Sequence, residues 1–347
     1  MSEAIATTPT ITLQPSGRSF TAHAGETLLE AAMRQDIQLP YGCRNGACGS
    51  CKAKLVAGQV DYGVHQASTL TDEEKQAGKL LLCCARALTD VTIEARELSA
   101  AGGVRVRILP CRVHRLERHA STMVLYLKLP QNERLQFLAG QYLDFLLKDG
   151  KRRSYSMANA PHDDEFLQLH VRDYQGLFSG HVFNRMKERD ILRIEGPFGS
   201  FYLRDSAKPM VMVASGTGFA PIKAIIEHCI ATGVHREIAL YWGNRTRADM
   251  YAPELCERWA REQPNIRFVP VLSDARPEDA WDGRTGFVHE AVMADWPDMS
   301  QVQVYACGAP VMVDAARRDF SAKCGLPEDE FYADSFTVNE PALQLAR

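Results

Sequence analysis

Eleven residues, YGCRNGACGSC from Tyr41 to Cys51, contain three cysteines and three glycines. Thiols set this close, with bare backbone between them, serve either as crosslinks or as ligands. The chain has 347 residues and ten cysteines. Its first residues, MSEAIATTPTITLQ, show no basic segment followed by a sustained apolar run, so export is not indicated and reduced thiols are expected. Reduced and clustered, they point to a metal.

The spacing narrows the choice. Cys43, Cys48 and Cys51 read C-x4-C-x2-C, and the adjacent pair Cys83 and Cys84 follows in LLLCCARALTD. Three thiols at this spacing with a distant fourth are the plant-type arrangement for a [2Fe-2S] cluster, in which four thiolates terminate two bridged irons. A loop wrapped round a cluster aims backbone N–H groups at sulfur and takes positive φ at several points, which Gly42, Gly46 and Gly49 permit. The alternative is a four-thiolate zinc site. Zinc favours two short C-x2-C knuckles, and only one exists here.

At 46% hydrophobic and 24% charged residues, the chain is long enough for roughly two or three globular domains. A net charge of -3 without any long like-charge block supplies no basic field for nucleic acid. No run approaches the ~18 apolar residues of a membrane span, so a soluble, cytoplasmic chain, read as a monomer, is expected. Element patterning predicts an N-terminal domain over residues 1–95, a small-residue linker over 96–103, an antiparallel β-barrel over 104–204, and an α/β domain with a parallel sheet over 205–347. In the first of these, Thr27 before LLEAAM with Glu30 three residues on reads as a capping box. A helix near Gly180 to Lys187 is expected in the barrel.

A one-electron cluster needs a donor. In the barrel, RRSYSMAN contains R-x-Y-S as Arg153, Ser154, Tyr155 and Ser156. An arginine can neutralise a pyrophosphate, an aromatic ring can lie against a flavin, and a hydroxyl can bond a ring nitrogen. A barrel strand with a solvated arginine is the plainer reading of four residues. LHVR, Leu169 to Arg172, follows as a second strand edge, and Gly176 and Ser179 are read as lying just ahead of a helix whose N-terminus can receive phosphate. In the last domain, VMVASGTGFAP places Gly216, Thr217, Gly218 and Pro221 between a strand and a helix, where a dinucleotide pyrophosphate can approach the backbone. Downstream, YACGAP carries Cys307, Gly308 and Pro310. Arg245 and Arg247, after the second strand of this domain, could hold a 2′-phosphate or simply be solvated. Cys111, Cys229, Cys256 and Cys324 read as core packing.

In this order the motifs resemble the single-chain iron–sulfur flavoprotein reductases of the ferredoxin–NADP⁺ reductase superfamily, over about Thr10 to Phe336. The wording RRSYSMANAPHDDEFLQLHVR, ASGTGFAPIKAIIEH and VYACGAPVMVDAARRDF looks especially like the CDP-6-deoxy-Δ3,4-glucoseen reductases of deoxysugar synthesis. Pro221 in place of the third glycine of the usual fingerprint matches that superfamily. The resemblance implies a β-grasp ferredoxin, an FAD barrel and a nicotinamide domain, with hydride passing from NADH to FAD and electrons then passing singly through the cluster. It implies NADH, with NADPH open. The acceptor would be a dehydrase, or alternatively the oxygenase of a Rieske dioxygenase or di-iron monooxygenase system. It selects Cys83 as fourth ligand, seven residues before the matched Asp90, and leaves Cys84 as a buried apolar filler. It gives Tyr155 the support of the isoalloxazine, Ser156 the approach to N5, and Arg153 and Ser179 the FAD phosphates. Ser154, His170, Val171, Arg172 and Gly176 would also contact FAD. Cys307 and Gly308 would border the nicotinamide, and Phe336 would take part of the flavin-covering role. A non-catalytic redox sensor that keeps the folds is the rival from another class.

Overall fold

Strand pairing and two short capped helices build the first part of the chain. The computed structural model describes residues 8–98 and 104–336, and the chain divides into two units, Met1–Gly103 and Val104–Arg347. In the first unit a five-stranded mixed sheet runs in the order Ser19–Thr21, Thr10–Gln14, Val91–Glu94, Lys52–Ala57, Lys79–Leu81. The first and last strands of this unit pair in parallel, Ile11 opposite Val91, at the centre of a β-grasp. The sheet clasps the helix Leu28–Arg34, which buries Leu28, Leu29, Ala31 and Ala32. The expected capping box is present. Thr27 Oγ1 accepts from the Glu30 N–H at 3.2 Å and Glu30 Oε2 accepts from the Thr27 N–H at 2.9 Å, satisfying two otherwise orphaned donors. Of the expected linker, Arg96 to Leu98 lie within the described residues. The Leu98 N–H donates to Gln38 O at 2.8 Å, so this stretch is bound to the unit.

The second unit begins with six antiparallel strands in the order Arg152–Ser156, Tyr142–Leu146, Ile191–Phe198, Arg107–His119, Thr122–Lys128, Leu167–Arg172. The two edge strands meet through a bridge between Met157 and Leu169, which closes the barrel. Leu109, Val113, Leu125, Leu127, Phe145, Leu169 and Val171 are among the residues that fill it, with Phe178 and Val182 from the helix Leu177–Asn184. This helix starts three residues earlier than the sequence suggests. Gly176 is its N-cap, and the Gly176 N–H donates to Ser179 Oγ at 3.1 Å; Ser179 therefore lies inside the first turn rather than ahead of it.

A parallel sheet completes the unit, ordered Arg284–Thr285, Ile266–Leu272, Ile238–Asn244, Met210–Ser215, Gln303–Gly308, Phe331–Ser335. Helices Phe219–Thr232 and Pro253–Glu262 bury one face, and Val288–Asp295 and Pro310–Cys324 the other. Chain order reverses between Met210–Ser215 and Gln303–Gly308, which makes their carboxyl ends the binding crevice of such a sheet. Cys111, Cys229, Cys256 and Cys324 are all buried, as expected.

Barrel and parallel sheet are joined by a buried cation. Lys223, 8% exposed on the first helix of the sheet domain, donates to Ala158 O at 3.0 Å, Gln168 Oε1 at 2.9 Å and Glu227 Oε2 at 2.7 Å. Removing a buried charge partner leaves three acceptors unpaired, at a cost of about 3 kcal/mol. Lys223→Met is expected to lower the urea midpoint of the second unit's unfolding in the full-length chain, followed by loss of bound flavin; an unchanged midpoint would show that the lysine contributes packing alone.

Candidate functional site

Local hydrogen bonding gathers the four sulfurs of the first unit. Lys52 pairs with Leu81 across the sheet, and the Leu82 N–H donates to Cys51 O at 3.1 Å, which sets Cys51 beside Cys83. At its N-terminus the helix Leu28–Arg34 donates from Leu28 N–H to Ala85 O and from Leu29 N–H to Leu82 O, both at 2.9 Å. The turn carrying Cys83 is thereby tied to the helix end. Gly46 and Gly49 take φ of +75° and +72°, and Arg44 joins them at +59°. The Cys43 N–H points at Cys48 Sγ at 3.3 Å and the Ala47 N–H at Cys43 Sγ at 3.4 Å.

The sulfurs associate two and two. Cys51 Sγ lies 3.3 Å from Cys83 Sγ, and Cys48 hydrogen-bonds Cys43. A thiol bond from Cys48, then the N–H groups of Asn45 and Ala47, bring Cys43 down to about 7; bonds from Cys51 and then Cys84 bring Cys83 down to about 3. Cys48 and Cys51, the donors, are held well above the usual thiol range by those same bonds and by burial. One member of each pair is thus ready to be an anion, and ionising all four requires positive charge between them. Among the described residues no three His, Cys, Asp or Glu side chains close on a single ion. Two thiolates for each of two irons is the demand of a [2Fe-2S] cluster, and this donor set fits it.

In the barrel, strand alternation puts Arg153 and Tyr155 on one face and Ser154 and Ser156 on the other. Tyr155 packs against Phe178, 5.5 Å between centroids, and Phe145, 5.8 Å; burial raises its phenol above the usual range. Arg153 is half-exposed beside it and donates to Arg152 O at 2.7 Å. The Ser154 hydroxyl donates to the buried Asp144 at 2.6 Å, and Val171 points into the barrel core. A half-exposed guanidinium, an aromatic wall and the N-terminus of Leu177–Asn184 at Gly176 are the kinds of charge, face and donor that could hold a flavin dinucleotide.

The sheet crevice is built by missing side chains. A Cβ on Gly218 would lie 2.1 Å from Cys307 O, and one on Gly308, at φ +135°, would lie 2.2 Å from Ser215 Oγ. At both positions the chain packs too closely for any side chain, so the glycines let two strand ends meet at the head of the crevice. Thr217 is buried within the turn, and Pro221 in the helix that follows. The Phe336 N–H donates to Gly308 O at 2.8 Å, and Phe336 also packs on the sheet core. Ser335, in register with Gly308, has a buried Oγ without a partner among the described residues.

The two halves of the unit converge on residues that the sequence patterns do not single out. Asp334 lies in register with Cys307, and its Oδ2 accepts from Ser156 Oγ at 3.5 Å. Burial, with the Asp334 charge, holds the Cys307 thiol well above its usual range, so it stays neutral. His170 and Arg172, alternate residues of one strand, reach Tyr251 (2.8 Å) and Asp249 (2.9 Å). The Arg172 guanidinium also covers Gly216, where a Cβ would stand 2.9 Å from Nη1. Arg172 therefore lies at the nicotinamide-side turn as well as on the barrel. Asp334 could be noticed only as an acid two residues before Phe336, a spacing without meaning until the last strand is placed. Of the two candidate 2′-phosphate ligands, Arg245 pairs with Asp274 at 3.4 Å and Arg247 donates to Asp279 O at 3.1 Å.

The sequence matches three family models: the 2Fe-2S iron–sulfur cluster binding domain over residues 11–88, the oxidoreductase FAD-binding domain over 113–202 and the oxidoreductase NAD-binding domain over 212–318. The CDP-6-deoxy-L-threo-D-glycero-4-hexulose-3-dehydrase reductase of Yersinia pestis is 40% identical over 95% of this chain and 99% of its own. This chain belongs to the single-chain iron–sulfur flavoprotein reductases. Phenol 2-monooxygenase reductase component DmpP of a Pseudomonas species is 36% identical over 88% of each chain. The crystal structure of the Amycolatopsis cytochrome P450 reductase GcoB matches with a TM-score of 0.76 at 34% identity, over 95% of this chain and 99% of that one. As a member of the family the chain is an NAD(P)H-dependent oxidoreductase carrying a [2Fe-2S] cluster and FAD. No helix among the described residues is long and apolar enough to cross a membrane.

His170 gives the reductase a pH signature. Burial, and then the Lys223 charge, push its imidazole well below the ordinary 6.5, so it is neutral when folded. The unfolded chain takes up the proton first, and stability is lost as pH falls through about 6.5. Denaturant midpoints of the second unit measured from about pH 7 down to about pH 5 are expected to fall with a component that His170→Asn removes. An identical pH profile in the variant would refute the assignment.

Proposed function

We propose that this reductase draws on NADH and serves a deoxysugar dehydrase. The acceptor rests on one observation, the 40% identity that runs through all three domains to a hexulose-dehydrase reductase. FAD would accept the two electrons of a hydride together and release them one at a time to a one-electron cluster. The chain's own residues would bind and orient. Tyr155 would back the flavin ring, Arg153 with the Gly176 and Ser179 turn would hold its phosphates, and Gly216 to Gly218 would admit the pyrophosphate of the nicotinamide dinucleotide. Ser156 would present its hydroxyl to the flavin, oriented by Asp334, while Cys307 and Gly308 would border the nicotinamide as neutral, closely packed surface. Cys43, Cys48, Cys51 and Cys83 would hold the cluster. NADH is favoured because the Arg245 and Arg247 side chains already have acceptors in Asp274 and Asp279. Oxygenase systems are the second reading, supported by the phenol 2-monooxygenase reductase component at 36% identity.

Anaerobic NADH is expected to bleach both flavin and cluster absorbance, and the reduced protein to reoxidise with a purified hexulose dehydrase faster than with an oxygenase component. Preference for the oxygenase component would overturn the acceptor assignment. Ser156→Ala and Asp334→Asn are each expected to slow flavin reduction by NADH about tenfold to a hundredfold, the worth of a hydrogen bond to a charged group. FAD content should be unchanged, and stopped-flow absorbance would read both.

A further inference from the structure

Cys84 has a place that a filler does not require. It is 6% exposed, and its Sγ lies 3.6 Å from Cys83 Sγ. Two neighbours fix the sulfur there. A Cβ on Gly46 would stand only 2.7 Å from it, so the glycine of the cluster loop leaves the space that Cys84 occupies. Behind it, the Cys84 and Ala85 N–H groups both donate to Leu81 O, at 3.0 and 2.9 Å, and a Cβ on Gly63 would strike Cys84 O at 2.3 Å. The thiol is held between the loop and a ligand sulfur, within hydrogen-bond reach of that ligand alone among the cysteines whose contacts are described.

We propose that Cys84 is a positioning residue for electron transfer, its S–H donating to the sulfur of Cys83 and raising the reduction potential of the cluster. The inference rests on Cys83 being the fourth ligand. A cluster of two ferric irons, two sulfides and four thiolates is a net dianion, and each electron delivered to it makes a trianion, with no bond formed or broken. Part of the added charge falls on the terminal sulfurs, so a donor aimed at one of them stabilises the reduced state more than the oxidised. The Cys84 sulfur faces the Cys83 sulfur at 3.6 Å, and an S–H there is a donor that a thiolate ligand can accept from. Cys48 and Cys51 cannot do this in the loaded protein, because as ligands they are thiolates. Cys84 is the one thiol at the site with a proton left to give.

The test is a reductive titration of the full-length protein against redox dyes, following the EPR signal of the reduced cluster, for wild type, Cys84→Ser and Cys84→Ala. Iron and acid-labile sulfide are measured in each. Full cluster content is expected in all three, with midpoint potential falling in the order wild type, serine variant, alanine variant. The serine hydroxyl keeps a donor at shorter reach, and alanine keeps none. For alanine the reduced-to-oxidised ratio at fixed poise should fall about threefold to tenfold, tenfold being 59 mV for a one-electron couple. Either variant alone decides the matter if the other does not accumulate. Full cluster with an unshifted midpoint overturns the inference and leaves Cys83 as ligand. Loss of cluster from folded protein overturns both, because Cys84 would then be the ligand.

Discussion

Four sulfurs gathered in one corner of a β-grasp unit form the constraint on which the rest depends. As thiolates they repel, and as thiols they have little reason to be so close. The chain brings them together with ordinary backbone bonds: a strand pair sets Cys51 beside Cys83, and a helix N-terminus ties down the turn from Leu82 to Ala85. The capping box at Thr27 therefore does more than start a helix. The first two N–H groups of the helix it starts hold the turn carrying Cys83, so a local sequence signal bears on the placement of a distant thiol. Pairing the sulfurs two and two then suits a group with two metal centres, where a single tetrahedral ion would want one point of convergence.

The second unit meets a different demand, that of holding a flavin barrel and a nicotinamide sheet in one body while leaving a crevice between their ligand-facing edges. Lys223 joins the two by three hydrogen bonds from one buried ammonium. His170 and Arg172 join them again, from the edge strand of the barrel to the segment after the second parallel strand. Between these attachments lie the positions where backbone must meet backbone, Gly218 against Cys307 and Gly308 against Ser215. A Cβ at either glycine would strike the facing strand end. Ser156 and Asp334, 178 residues apart in sequence, come within reach of each other because the last strand returns to the open side of the switch point.

Cysteine spacing, the R-x-Y-S strand, the glycine turn and the C-G-x-P turn are local patterns, since a loop or a strand end owes its chemistry to residues a few positions apart. For that reason the domain types, the cofactors and the family are legible in the amino-acid sequence, and so is the capping box. The start of the Leu177–Asn184 helix is misplaced by sequence patterning because Ser179 acts backwards on Gly176, a bond that periodicity does not register.

Residue order alone sets the inventory: a ferredoxin, a flavin barrel and a nicotinamide sheet, each marked by a short motif whose physics is complete within it. Which side chains those motifs meet is set by the folded chain. Arg172 reads as a barrel residue but lies over the glycine turn of the neighbouring domain, Asp334 becomes meaningful only beside Ser156, and Cys84 changes from filler to neighbour of the Cys83 sulfur because Gly46 makes room for it. Such contacts join residues tens or hundreds of positions apart. They are set by sheet order and barrel closure, which no local pattern encodes.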